Sequence, residues 1–141
     1  MKILFVCRGN VGRSQMAAAF YNHMTKSHDA FSAGTHVEKP RQTLLVRKLE
    51  RPGKSFVVDA MNDIGIDVSN SESTQLTQGM LNDYDLVISM AGKRYTPTWL
   101  ASSPKYTYWK IRDPMGRNYH VTAKARDEVK NQVAQLIVDT K

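Results

Sequence analysis

The apolar positions of the chain fall into short unbroken runs separated by longer segments of helical spacing. The first run, Ile3-Leu4-Phe5-Val6, has no polar interruption. It predicts a strand over Lys2–Val6 that is buried on both faces, as in a parallel sheet. From Gln15 to Met24, the residues Met16, Phe20 and Met24 recur every four positions, which lays one apolar stripe along a helix. Asp29–Ala33 reads as a second strand, ended by Gly34-Thr35. The segment His36–Lys54 is the least regular. It carries Lys39, Arg41, Arg47, Lys48, Arg51 and Lys54, two prolines and one apolar patch, Leu44-Leu45-Val46. It reads as a long basic loop with room for a short helix.

Ser55–Ile64 places Phe56, Val57, Ala60, Met61 and Ile64 on one helical face, with Gly65 as its C-terminal cap. Asp67–Leu76 is polar and Ser-rich, a loop leading to a short helix near Gln75–Asn82. Asp85–Met90 is a third strand, centred on Leu86-Val87-Ile88. Lys93–Leu100 has weak helical character with Pro97 inside it, so a short or bent helix is expected. Tyr106–Lys110 is a fourth strand, and Thr122–Asp139 a closing helix with Val129, Val133, Leu136 and Ile137 facing inward. This alternation of strands and helices predicts an α/β protein, a three-layer sandwich with helices on both faces of a four-stranded parallel sheet. The strand order 2-1-3-4 puts the topological switch point between the first and third strands, where ligands bind outside the carboxyl ends of such sheets. Residues 1–141 read as one domain without repeat or linker.

Composition narrows the setting. Hydrophobic content is 41% and charged content 23%, both globular values. No apolar run approaches the roughly 18 residues of a membrane span. Arg8 breaks the first run too early for a signal peptide, whose apolar core needs about 7–15 residues. A cytoplasmic protein is expected, and a single cysteine agrees with a reducing compartment. The net charge of +7 points to an acidic partner, such as phosphate groups or acidic peptide segments. The basic residues do not alternate with stacking aromatics, so nucleic acid is not the expected partner.

The first strand runs straight into Cys7-Arg8-Gly9-Asn10-Val11-Gly12-Arg13-Ser14 and then into the first helix. A strand–loop–helix turn offers unpaired N–H groups and the positive end of a helix dipole to an anion. Here the only cysteine sits at its mouth. Phosphate-ester cleavage by a thiol requires the thiolate as nucleophile, and a helix N-terminus with a nearby arginine favours that form. Arg13 offers a planar fork for two phosphate oxygens. The N–H groups from Arg8 to Arg13 can cradle the others. Gly9 and Gly12 are expected to adopt backbone angles closed to other residues, and Asn10 tolerates left-handed ones. Ser14 can hydrogen-bond the sulfur. A leaving alcohol or phenol needs a proton, and Asp113, beside Pro114 in the loop after the fourth strand, is the best-placed donor.

Other chemistries fit less well. The Gly-Lys-Ser/Thr ending of a nucleotide-binding loop is missing, with Arg13 at the lysine position. His23, His28, His36 and His120 show no metal-ligand spacing. His120 reads as a surface residue, and Trp99, Trp109 and Tyr108 as packing.

Five landmarks together resemble a known family: Val6–Ser14, Ser32-Ala33-Gly34-Thr35, Gly65-Ile66-Asp67-Val68-Ser69, Tyr84-Asp85-Leu86-Val87 and Asp113-Pro114. The chain resembles the low-molecular-weight protein tyrosine phosphatases and the arsenate reductases that share their fold. The resemblance implies Cys7 as nucleophile through a cysteinyl-phosphate, Arg13 as phosphate clamp, and Asp113 as general acid and then base. Arg8, Gly9, Asn10, Val11, Gly12, Arg13 and Ser14 would bind the substrate phosphate, with Asn10 and Ser14 holding the loop in shape. No cofactor or metal would be required. Implied partners are a phosphorylated protein or small aryl phosphate, and inorganic phosphate or another oxyanion in the loop, without a membrane.

The chain also departs from the family pattern. Thioredoxin-coupled arsenate reductases need further cysteines near the end of the third strand, where this sequence reads Ser89-Met90-Ala91-Gly92-Lys93. Gly12 stands where many of the phosphatases have a second loop cysteine, and Met115-Gly116 where phosphotyrosine-specific members have tyrosines. Asn70 replaces a histidine that often supports the loop asparagine. The expected activity is phosphomonoester hydrolysis. The alternative is arsenate reduction with an external small thiol, and a third reading is a non-catalytic phosphate or nucleic-acid binder.

Overall fold

The structure, a computed structural model, describes residues 1–141. Four parallel strands, β1 (Ile3–Cys7), β2 (Ala30–Gly34), β3 (Leu86–Ser89) and β4 (Tyr106–Tyr108), pair in the order β2-β1-β3-β4. This is the expected sheet. The helices are α1 (Arg13–Thr25), α2 (Leu44–Glu50), α3 (Val57–Asn62), α4 (Thr98–Ala101) and α5 (Tyr119–Asp139).

Alternation along β1 builds the layers, because successive side chains point to opposite faces. Ile3, Phe5 and Cys7 join a core cluster with Met16 and Phe20 of α1, Val58 and Met61 of α3, and Val129 and Val133 of α5. Leu4 and Val6 join a smaller cluster with Val87, Leu76, Leu81 and Leu100 on the other face. All of β1 is buried, as its unbroken apolar run predicts. Trp109 packs on Phe5 with ring centroids 5.7 Å apart, and His120 is exposed. No helix is long and apolar enough to cross a membrane.

The structure differs from the sequence expectation in four places. The segment Lys93–Leu100 is not one helix. It forms a 3₁₀ turn at Lys93–Tyr95 and the short α4, split by Thr96-Pro97. A residue before proline is pushed out of the helical region, and Thr96 is extended at φ −98°, ψ 116°. The expected helix near Gln75–Asn82 is a 3₁₀ turn at Gln78–Asp83 that buries only Leu81, too little apolar surface to hold an α-helix. The fourth strand stops at Tyr108, because it lies at the sheet edge with exposed side chains. Helix α5 begins a turn early because the Asn118 side chain accepts from the Val121 N–H at 3.1 Å. Gly65, at φ +82°, ends the α3 segment as expected: its N–H donates to Asn62 and that of Ile66 to Met61.

Candidate active site

Cys7 is the last residue of β1, and its partner in register on β2 is Gly34. Beyond it the chain loops through Arg8–Gly12 and enters α1 at Arg13. Asn10 is the residue that turns this loop. It sits in the left-handed region at φ 55° and is fully buried. Gly9 and Gly12 do not have positive φ, and a β-carbon on either would meet only ordinary contacts of 3.6 Å or more. Gly12 does adopt an angle pair outside the helical and extended regions, φ −142° and ψ −95°, and the left-handed position of the loop belongs to the short polar Asn10.

The polar groups inside the loop satisfy one another. Asn10 Nδ2 donates to Ser14 Oγ at 2.8 Å, and Ser14 Oγ lies 2.9 Å from Cys7 Sγ. The Asn10 N–H donates to the same sulfur at 3.2 Å. Asn10 Oδ1 accepts from the Thr74 N–H at 2.7 Å. Its carbonyl accepts from Gln15 Nε2 at 3.1 Å and Ser73 Oγ at 3.2 Å. The Thr74 backbone and Ser73 thus hold the loop asparagine, while Asn70 stays exposed. The backbone N–H groups of Arg8, Gly9, Val11 and Gly12 donate to no protein acceptor. Four free donors in the loop between this sulfur and the positive end of a 13-residue helix are the chemistry of an oxyanion seat.

Arg13 stands over this seat with 6% of its surface exposed. Its Nη1 donates to the carbonyls of Met90 and Ile111, the latter at 3.0 Å. These carbonyls follow β3 and β4, so the sheet order itself aims the guanidinium. Its Nη2 lies 3.5 Å from Asp113 Oδ2. The other Asp113 oxygen accepts from the Met115 N–H at 2.9 Å, which fixes the carboxylate. The carboxylate is 40% exposed and lines the same cleft as Cys7, Gly9, Val11, Gly12 and Arg13. Cys7 and Asp113, 106 positions apart, therefore share one mouth. No cluster of three or more histidine, cysteine or acidic side chains with metal-holding geometry exists.

The family pattern for the low molecular weight phosphotyrosine protein phosphatases matches residues 2–141. The chain belongs to this family. It is 30% identical over 139 residues to a glutaredoxin arsenate reductase from Synechocystis sp., spanning 96% of this chain and 95% of that protein. The low molecular weight protein tyrosine phosphatase from T. tengcongensis superposes with a TM-score of 0.81 at 25% identity, covering 99% of both chains. An arsenate reductase in its phosphate-binding state superposes with a TM-score of 0.75 at 28% identity over both full chains. The low-molecular-weight phosphatase family is thus represented among these relatives by phosphatases and by arsenate reductases.

Within this family fold, two residues of the site escaped the sequence reading. Gly34 is one: a β-carbon there would lie 2.8 Å from the Asn10 backbone nitrogen and 2.9 Å from the Arg8 carbonyl oxygen. The loop packs directly on this glycine. Its register opposite Cys7 was the available signal. Arg47 is the other. The basic segment His36–Lys54 does hold the short helix expected in it, α2, but that helix is amphipathic in the reverse sense, which hides Arg47 from a sequence reading. The helix is capped by Thr43, whose hydroxyl accepts from the Val46 N–H at 3.2 Å. It buries Leu44 and Arg47 while leaving Leu45, Val46 and Leu49 exposed. Arg47 lines the cleft that holds Cys7. Its guanidinium is held below the usual arginine range, chiefly by burial and then by neighbouring Arg51.

Proposed function

We propose that the protein is a cysteine-dependent phosphomonoesterase that dephosphorylates phosphotyrosine or a related aryl phosphate. The observation that carries this reading is the cleft that brings Cys7 and the unengaged N–H groups of Gly9, Val11 and Gly12 together with Arg13 and Asp113. In the proposed first step the Cys7 thiolate attacks phosphorus, an S–P bond forms, and the P–O bond to the leaving group breaks. Asp113 donates its proton to the departing oxygen. The loop N–H groups and Arg13 stabilise the equatorial oxygens, each donor worth about 2–4 kcal/mol. In the second step Asp113 takes a proton from water, water attacks phosphorus, and the S–P bond breaks to release inorganic phosphate. Ser14 hydrogen-bonds the departing sulfur. A single unpaired thiol suits a reducing compartment, and we place the reaction in the cytoplasm, on a phosphorylated protein or small aryl phosphate.

A second reading, arsenate reduction, is favoured by the curated relatives named arsenate reductase. With one cysteine, the chain cannot form an internal disulfide, so an external thiol would have to reduce the Cys7-bound arsenic. A side-by-side assay of an aryl phosphate, a phosphotyrosine peptide and arsenate plus glutathione decides between them, on wild type and Cys7→Ser. The expected result is ester hydrolysis in wild type, and in Cys7→Ser none, with phosphate binding retained. Arsenite release with negligible ester turnover would select the reductase instead.

A further inference from the structure

Arg47 is buried to 6% exposure, yet it belongs to none of the ion pairs of the protein. The only hydrogen-bond partner of its guanidinium is the sulfur of Met115, 3.5 Å from Nη2. A guanidinium has five N–H donors, and a thioether is a weak acceptor for one of them. Burying a charge without a partner is costly. The guanidinium atoms that lack a protein partner keep their contact with solvent in the cleft, although Leu45, Val46 and Leu49 on the same helix are themselves exposed. Folding alone would select the opposite orientation, with the apolar side chains inside.

The surroundings of Arg47 point to an anion. Arg47 lines both the Cys7 cleft and a neighbouring cleft that contains Arg8, His36 and Lys39. The two clefts share Gly9, Val11, Arg47 and Met115, so they adjoin at Arg47. The carboxylates that act on Arg47 are Glu38 and Asp113. Glu38 is already bound by Arg51 at 3.1 Å, and Asp113 by Arg13 and the Met115 N–H. Neither neutralises Arg47.

We propose that Arg47 forms a second anion subsite, which binds an acidic side chain of a phosphopeptide next to the scissile phosphate. The proposal deepens the phosphatase reading and rests on it. A planar fork matches a carboxylate with two parallel hydrogen bonds, and Arg8 and Lys39 in the neighbouring cleft add positive charge beside it. The interaction acts on binding and orientation, so it makes Arg47 a specificity residue.

The test uses two peptides of equal length with a central phosphotyrosine, one flanked by glutamates and the other by glutamines. Their kcat/KM values are measured on wild type, Arg47→Gln and Arg47→Met, with p-nitrophenyl phosphate assayed alongside. Wild type is expected to prefer the glutamate peptide at least about tenfold, the effect of one charge-assisted contact. Both variants are expected to lose that preference. Equal values for the two peptides in wild type overturn the subsite, and p-nitrophenyl phosphate turnover in the same preparation shows that the phosphatase reading survives. If wild type hydrolyses no ester, the phosphatase reading fails by itself. The two peptides are then compared by calorimetry on the unmodified protein, where a tenfold tighter glutamate peptide supports the subsite and equal or absent binding overturns it. A glutamate preference kept in either folded variant overturns the assignment to Arg47 and gives it to Arg8 or Lys39 of the neighbouring cleft.

Discussion

Asn10 and Ser14 are joined side chain to side chain at 2.8 Å, and through Ser14 the link reaches the Cys7 sulfur at 2.9 Å. The residue that bends the loop is thus also the residue that orients the hydroxyl beside the nucleophile. Asn10→Ala removes both functions. It leaves the Thr74 N–H without its acceptor and places a β-carbon-bearing residue without a polar side chain at φ 55°. The combined cost is about 2–5 kcal/mol, read as a lower midpoint in urea unfolding. Asn10→Gly relieves only the backbone part and falls between the two.

Gly34 tests the packing of the same loop from the sheet side. Gly34→Ala forces a methyl into the Asn10 nitrogen and the Arg8 carbonyl, backbone atoms that cannot rotate away. The expected outcome is phosphate binding weakened at least about tenfold with reduced stability, since overpacking costs about 1–3 kcal/mol. Gly79→Ala, which meets nothing within 4 Å, is the control and should change neither. Equal behaviour of the two variants would disprove the contact.

Arg13→Lys keeps the charge and loses the fork. One ammonium cannot serve the Met90 carbonyl, the Ile111 carbonyl and a bound phosphate together. Turnover of an aryl phosphate should fall at least about a hundredfold. Stability should fall by about 1–3 kcal/mol for the stranded carbonyl. Steady-state kinetics and urea unfolding check the two separately.

Asp113→Asn separates proton donation from binding. Esters with poor leaving groups should slow by about 10²–10⁴, and p-nitrophenyl phosphate, whose leaving group needs little help, far less. A uniform slowing across a leaving-group series would argue that Asp113 only positions Arg13.

Glu50 anchors helix α2 to the loop before it, accepting from Lys39 Nζ and Gln42 Nε2, both at 2.9 Å. These hydrogen bonds, with the Lys39 charge, hold its carboxyl below the usual glutamate range. A lowered value means that the contribution to stability is present above the ordinary range and is lost as pH falls through the lowered value. Glu50→Gln should therefore be less stable than wild type near pH 7, with the gap closing in acid below about pH 4. Thermal unfolding at the two pH values measures it.

How much of this was legible beforehand depends on which physical force decides each element. Where apolar pattern decides, the reading was close: Ile3-Leu4-Phe5-Val6 is a fully buried strand, and Met16 and Phe20 are at 0% and 1% exposure. Alternation of strands and helices implies a parallel sheet, and the structure has it in the expected order β2-β1-β3-β4. Local chemistry misled it where two weak signals competed, as at Thr96-Pro97, where the proline divided a segment whose helical pattern was already faint. The tolerance of Asn10 for left-handed angles is legible from its residue type, and the structure has it at φ 55°. Arg47 was invisible for a different reason. Charged residues are expected outside, and a helix that buries arginine in preference to leucine contradicts the pattern from which burial is inferred.

The tie between Arg13 and the carbonyls of Met90 and Ile111 spans 77 and 98 positions of sequence. The oxyanion seat is therefore a property of the nearly finished chain. A ribosome-bound fragment that ends before Ile111 has the cysteine, the loop and the first helix, and still has no correctly aimed guanidinium. Inorganic phosphate, which should prefer the completed seat, would then act as a late clasp on folding. At a hundred times its dissociation constant it would add about 2.7 kcal/mol to the folded state, bracing a domain whose strands are joined by distant pairings. An oxyanion bound in the seat would thus tie the first helix to the ends of the third and fourth strands as well as occupy the site.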